Sequence, residues 1–262
     1  MDEGAVAEFG AVHRGPVIGP ADVRFDRARR SFNALVEARP ELIVRPVDDA
    51  DVAAAIGLAG ARGLGVSVRG GGHSVAGHSV GDASVMIDLR LLREVTVEAG
   101  AQRVLVGGGA CWNDVDAATQ AAELALPGGT YGDTGVAGLT LTGGIGHLTG
   151  AYGLFEPLHG AAARAEATST AFAFRHARFN ISPMAIWADP AQDKAQIAWA
   201  QTIRDRLRPL STGGYLNYAT DDTAGTVEDA YGAQTFARLQ AAKRTWDPGN
   251  LFRHNHNIPP AA

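Results

Sequence analysis

Thirty-three of the 262 residues are glycine, well above the roughly 7% of ordinary usage, and many stand in runs rather than singly in turns. Glycine costs backbone entropy on folding, so runs of it mark places where backbone must approach something closely. Residues 127–153 hold ten glycines among small polar residues with no durable periodicity, and read as a loop-rich surface lying against a ligand. A second run follows the β-branched Val66-Ser67-Val68 directly. A strand ending in Arg69-Gly70-Gly71-Gly72-His73-Ser74 presents consecutive backbone N–H groups with no Cβ to shield them, an anion-binding nest suited to a pyrophosphate. A tight turn would use the same residues, and the run alone leaves nest and turn equally open.

The rest of the composition narrows the class. A chain of this length with 46% hydrophobic residues can bury the core of one large or two small domains. Its 23 basic and 28 acidic side chains nearly balance, and no Lys/Arg cluster is interleaved with aromatics, so nucleic acid has no electrostatic footprint to bind. No apolar run approaches the roughly 20 residues of a membrane helix, and Met1-Asp2-Glu3-Gly4 has the wrong sign for a secretory leader. Arg29-Arg30 resembles a twin-arginine signal only until Asn33, Glu37, Arg39 and Glu41 interrupt the stretch behind it. The single cysteine, Cys111, excludes an internal disulfide and fits a reducing, cytoplasmic setting. His73, His78 and Cys111 lack the spacing of a zinc site, and no metal is expected.

Apolar positions recur at helical spacing from Asp22 through Phe25, Ala28, Phe32, Leu35 and Val36. Leu42-Ile43-Val44 reads as a strand, and Asp48 as the N-cap of a helix closed by Gly63. Val66–Val68, Val85–Ile87, Val95–Val97 and Val104–Val106 read as further strands, Asn113 to Glu123 as a helix. Beyond a change of texture near Phe155 to Ala171, strands are expected at Phe172–Phe174 and Met184–Trp187. Helices are expected at Ala191 to Leu207, with Ile197, Ala200, Ile203 and Leu207 inward, and at Phe236 to Trp246.

The common nucleotide fingerprints fail, since no Gly-Lys-Ser/Thr follows the glycines and they do not open a helix with a downstream acidic ribose binder. Instead, the segment Val68 to Ser79 resembles the phosphate-binding loop of the vanillyl-alcohol oxidase and p-cresol methylhydroxylase family of FAD-linked oxidases, in its berberine-bridge-enzyme-like branch. Phe25–Arg29 with Arg39-Pro40, Thr134–Gly146, and Trp246–Arg253 followed by Asn255–Pro260 agree, in order. The resemblance implies an α+β fold with a p-cresol-methylhydroxylase-type FAD-binding domain. Residues 1–154 would form that domain, 155–228 a truncated substrate domain, and 229–262 a segment returning to the FAD side.

The same resemblance assigns cofactor contacts to Arg69, Gly70, Gly71, Gly72, His73, Ser74, Gly77, His78, Thr134, Gly135, Val136, Gly138, Thr142, Gly143, Gly144, Gly146, Asn255 and Asn257. It makes His73 the covalent attachment point for FAD, with His78 structural. Tyr131 stands where some relatives have a second, cysteine linkage, so Cys111 reads as a helix-start or core thiol. Tyr215 and Asn217 of Gly213–Tyr218 resemble a substrate-side Tyr-x-Asn segment; in a strand both would face one ligand. The implied reaction passes a hydride from an alcohol, sugar or amine-type C–H of a small-molecule substrate to FAD, with dioxygen reoxidising it. After Leu154 the sequence departs from the family, passing directly to a point resembling the interior of the substrate domain. A non-catalytic remnant or partner-binding protein is therefore the alternative reading.

Overall fold

Leu42-Ile43-Val44 and Val85-Met86-Ile87 are apolar at every position, the pattern of strands covered on both faces. A computed structural model describes residues 1, 3–126, 128–129, 131–141, 154–158, 161–167, 169–182, 185, 190–219 and 226–262, and pairs these two strands inside a four-stranded sheet. The chain begins with helix α1 (Glu3–Val12), strand β1 (Val17–Ile18) and helix α2 (Phe25–Arg29). There follow β2 (Leu42–Val44), α3 (Asp49–Arg62), β3 (Gly65–Arg69) and β4 (Ser84–Asp88). The sheet order is β1-β2-β4-β3, with β4 parallel to β2 and β3 and β1 antiparallel to β2. Because side chains alternate along a strand, Leu42, Val44, Val85 and Ile87 meet Ala55 and Ala59 of α3 and Phe9 of α1. Ile43 and Met86 meet Ile18, Phe25, Ala28 and Val80 on the opposite face.

Helix α3 obeys its sequence signals at both ends. Asp48 Oδ1 accepts the Asp51 N–H at 3.0 Å, and Gly63 closes the helix in a left-handed conformation at φ 62°. Helix α1, which no sequence signal announced, buries Ala5 and Phe9.

The helix expected from Asp22 to Val36 is confined to α2. At Arg30 the backbone turns extended, with ψ 131°. The Phe32 N–H then donates to Gly72 O at 3.0 Å, and Asn33 Nδ2 to Val75 O at 2.7 Å. The glycine loop thus recruits the polar groups that a longer helix would have satisfied internally.

Strands β5 (Val95–Glu98) and β6 (Arg103–Val106) form an antiparallel hairpin, followed by α4 (Trp112–Ala121). The stretch expected to be loop contains α5 (Val136–Leu141). Its entry is fixed by the Val136 N–H donating to Ala110 O at 3.0 Å and by burial of Val136 beside Trp112 and Val115.

Next come β7 (Leu154–Pro157), α6 (Ala161–Arg164) and β8 (Phe179–Ser182), with β7 and β8 antiparallel. Phe172–Phe174 is not a strand. Its rings pack locally instead, Phe172 against Tyr215 with centroids 6.3 Å apart and Phe174 against Gly213. The strand expected at Met184–Trp187 lies outside the described residues except for Ala185, which has no regular structure.

Helices α7 (Asp193–Leu207), α8 (Thr226–Tyr231) and α9 (Ala233–Trp246) complete the order. The expected inward stripe of α7 is only partly covered: Ala200, Ile203 and Leu207 are half-buried and Ile197 is exposed. Periodicity suffices to form the helix but does not supply a layer to cover it. Leu216, Val227, Ala230 and Tyr231 make a separate core with Phe236, Leu239 and Ile258. Among the described residues no helix is long and apolar enough to cross a membrane.

Candidate functional site

Strand β3 delivers Arg69 to the start of the glycine loop, directly opposite Asp88 of β4. Arg69 is buried and donates from Nη1 to Ala28 O at 2.8 Å. Burial, and then the charge of Arg90, push its pKa down to about 10. Asp88 is fully buried and accepts from Arg45 Nε at 2.9 Å and from Arg90 Nε and Nη2 at 2.8 and 2.7 Å. Burial alone would raise the Asp88 carboxyl; the hydrogen bonds and charges of Arg90 and Arg45 outweigh it and hold the group below the usual carboxylate range. Three guanidiniums around one carboxylate leave surplus positive charge at the foot of the loop, which suits a phosphate.

The two glycine-rich segments named from sequence meet here. A Cβ on Gly71 would stand 2.7 Å from Gly135 Cα and 3.1 Å from Asp133 O. Gly72 sits at φ 81°, and a Cβ there would strike the Arg69 guanidinium at 2.7 Å. Gly70 lies over Gly108 O, and Gly77 packs against Val36. Ser74 Oγ accepts the His78 N–H at 3.1 Å, which closes the loop on itself. On the facing segment Thr134 O accepts the Trp112 N–H at 3.1 Å, Val136 is buried, and Gly138 lies inside α5. Thr142, Gly143, Gly144 and Gly146 lie outside the described residues.

His73 stands between these segments. Its ring stacks on Phe32, centroids 4.8 Å apart and planes 22° from parallel. Nε2 is 3.4 Å from Asp133 Oδ1, while Nδ1 is buried with no hydrogen-bond partner among the described residues. Cys111 sits at the N-cap of α4. Burial first, and then the Asp114 charge, push its thiol up, so it is a poor nucleophile. Tyr131 is exposed.

Tyr215 and Asn217 do not lie in a strand, since Leu216–Tyr218 is a single 3₁₀ turn. Leu216 is drawn into the α8–α9 core, and Tyr218 N–H donates to Tyr215 O at 3.1 Å. The turn nevertheless joins phenol and amide: Asn217 Nδ2 donates to the Tyr215 hydroxyl at 2.7 Å. The turn is tied to the glycine loop through two histidines. His256 Nε2 donates to Leu216 O at 3.0 Å, and its ring meets His78 edge-on at 4.5 Å. Asn257 Oδ1 is buried with no hydrogen-bond partner among the described residues, and Asn255 Nδ2 donates to Phe252 O at 3.4 Å.

Sequence reasoning missed Phe32, Asp133 and the Asp88 cluster. Phe32 fits a helical pattern, Asp133 sits in a glycine-rich stretch beside Thr134-Gly135, and Asp88 reads as an ordinary strand end. Among the described residues no group of three His, Cys, Asp or Glu side chains could hold a metal.

The family described as FAD binding domain matches residues 40–158, and the family described as berberine and berberine like matches residues 214–259. (R)-6-hydroxynicotine oxidase of Paenarthrobacter nicotinovorans is 36% identical over 141 residues, 54% of this chain and 31% of that protein. The structure of a variant of BBE-like 1 from Physcomitrella patens superposes with a TM-score of 0.83 at 14% identity, over 97% of this chain and 99% of that one, which shows a shared fold. Glucooligosaccharide oxidase of Acremonium strictum, which carries a 6-S-cysteinyl, 8α-N1-histidyl FAD, is 27% identical over 53% of this chain and 30% of that one, with a TM-score of 0.50. The chain spans about a third or less of the length of the curated relatives it matches. This short chain thus has the α+β fold of the p-cresol-methylhydroxylase type and carries, in chain order, a segment similar to the FAD binding domain and one similar to the berberine-like family.

Proposed function

We propose that the chain binds FAD between the Arg69–Ser74 and Thr134–Gly138 segments, with the flavin attached covalently through His73 alone. The carrying observation is the buried Nδ1 of His73, which has no hydrogen-bond partner among the described residues and lies beside the Gly71–Gly135 approach. Arg69 Nε and Asn257 Oδ1 are likewise buried without such partners, and buried polar atoms need one. These residues fit the group: the arginine-rich foot of the loop suits its phosphates, and the imidazole its reactive ring. In the glucooligosaccharide oxidase both a cysteine and a histidine hold the FAD; here Tyr131 replaces the former, and the Cys111 thiol is pushed up.

When bound, FAD supplies the acceptor for a hydride and returns the electrons to dioxygen. This chain's residues would do the rest. Tyr215, hydrogen-bonded by Asn217, would as its phenolate take a hydroxyl or amine proton from an alcohol, sugar or amine-type substrate, becoming the phenol as the substrate C–H bond is oxidised. Residues 1–154 and 229–262 form the cofactor side, residues 155–228 the substrate side. His256 links them through His78 and Leu216.

The test is spectroscopic. Protein expressed with excess FAD should be yellow, keep flavin on the denatured chain, and yield a single flavin peptide containing His73. Under exclusion of air an oxidisable alcohol, sugar or cyclic amine should bleach it, and air should restore the colour. A colourless protein, or flavin on Cys111, overturns the reading.

A further inference from the structure

A histidine attacks carbon only from a ring nitrogen whose lone pair is free, and which nitrogen that is depends on what holds the other. Around His73 the environment is asymmetric. Phe32 covers one ring face and is itself fixed by its N–H bond to Gly72 O. Nε2 looks at Asp133 Oδ1, 3.4 Å away, and Nδ1 is buried with nothing to donate to or accept from among the described residues. Asp133 is not a casual neighbour. Its carbonyl lies against Gly71, the turn around it is closed by Thr134 N–H to Tyr131 O at 3.0 Å, and Trp112 N–H anchors the next carbonyl.

We propose that Asp133 is a positioning residue for flavin attachment, holding the His73 proton on Nε2 so that Nδ1 is the nucleophile. The inference rests on the reading that FAD is attached at His73. In the attachment step the Nδ1 lone pair forms a bond to the flavin 8α carbon. That carbon loses one hydrogen as a proton, and the electron pair of the broken C–H bond passes into the ring system, reducing it by two electrons. Dioxygen reoxidises it, and one C–H hydrogen and one imidazole hydrogen leave as hydrogen peroxide. The imidazole becomes cationic as the bond forms, and the Asp133 carboxylate faces that charge. With its side chain 75% exposed, Asp133 acts under solvent screening, so its effect is directional and moderate.

The experiment adds FAD to apoprotein in air and follows two quantities: total flavin kept by the native protein, and flavin kept after denaturation. The wild type, D133A, D133N and H73A are compared, with thermal melts to confirm folding. ¹⁵N–¹H spectra of histidine-labelled apoprotein report which His73 nitrogen carries the proton without any flavin present. Expected are an Nε2–H tautomer in the wild type and attachment slowed about tenfold in D133A. D133N, which still accepts a hydrogen bond, should fall between, and native flavin retention should be similar in all three. Wild-type protein that loads covalently while D133A loads at the same rate overturns the Asp133 assignment alone, as does an Nδ1–H tautomer in the wild type. Wild-type protein that never loads covalently overturns the attachment reading and this assignment with it.

Discussion

Gly71 and Gly135, 64 positions apart in the chain, meet backbone to backbone, so closely that a Cβ on Gly135 would stand 3.0 Å from Gly71 Cα. The contact brings the two glycine-rich segments into one site and holds His73 next to Asp133. Neither neighbour is a flexible side-chain end, so an added methyl must push main chain.

Gly71→Ala and Gly135→Ala are each expected to destabilise the fold by about 1–3 kcal/mol, the usual cost of overpacking, and to lower flavin uptake. Gly138 provides the contrast. It lies in α5 with nothing within 4 Å of a built Cβ, so Gly138→Ala should leave stability unchanged or raise it by up to about 1 kcal/mol. Urea melts of the three variants check this; equal effects at all three positions would refute the close approach.

Replacing the Asp88 carboxylate by an amide leaves Arg45 and Arg90 without their shared negative charge and without one of the two oxygens they bond to. Breaking a buried pair costs about 3–5 kcal/mol, but the Arg45 and Arg90 side chains are 30% and 39% exposed, which reduces the figure. Asp88→Asn is therefore expected to cost on the order of 2–3 kcal/mol at neutral pH. The sign with pH follows from the lowered carboxyl. Its contribution is present above the unfolded value of about 3.9 and is lost as pH falls through the lower folded value. Acid denaturation below about pH 4 should therefore be shallower in Asp88→Asn than in the wild type.

The sheet was legible because its strands carry signals that survive any context: β-branched runs bounded by turn residues, and an N-cap and C-cap on α3 at Asp48 and Gly63. The loop carrying His73 was legible as a loop because its glycines directly follow the β-branched Val66-Ser67-Val68 of β3. Local pattern failed where a distant segment intervened. Phe32 has helical spacing, yet its N–H goes to Gly72. Tyr215 and Asn217 alternate like strand residues, yet Leu216 is claimed by the core of α8 and α9. Asp133 carries no local signal, because its meaning is set by a histidine 60 positions away.

His254 fills the space between Gly65, at the start of β3, and Gly81, in the loop before β4: a Cβ on Gly65 would lie 2.9 Å from its Cδ2, and one on Gly81 2.6 Å from its Nδ1. Burial, and then the Arg253 charge, lower its pKa, with Asp82 acting in the opposite sense. A folded-state pKa below the unfolded value of about 6.5 means that the contribution is complete above that value and is lost as pH falls through the folded pKa. Hydrogen exchange of residues 251–258 should therefore quicken in mildly acid solution before the sheet opens, and His254→Gln should remove that dependence. Exchange independent of pH, after correction for its intrinsic rate, would refute it.

The last prediction concerns the pair on the substrate side. The Tyr215 hydroxyl accepts the amide N–H of Asn217 at 2.7 Å, and the Tyr215 ring meets Tyr218 edge-on at 4.8 Å. The amide thus holds the phenol oxygen in place, and that oxygen is the atom proposed to take the substrate proton. If Tyr215 takes that proton, Tyr215→Phe should lower turnover by a factor on the order of 10²–10⁴, while covalent flavin content stays at the wild-type level, because neither the Arg69–His73 loop nor Asp133 is touched. Asn217→Ala leaves the phenol in place but loosens it, and should cost less. The decisive measurement is the anaerobic rate of flavin bleaching by substrate, which isolates C–H oxidation from the later reaction with dioxygen. Bleaching at the wild-type rate in Tyr215→Phe would leave the tyrosine a packing partner of Phe172 and Tyr218. Loss of flavin from the same variant would instead show that the turn acts on the cofactor side, through His256 and His78.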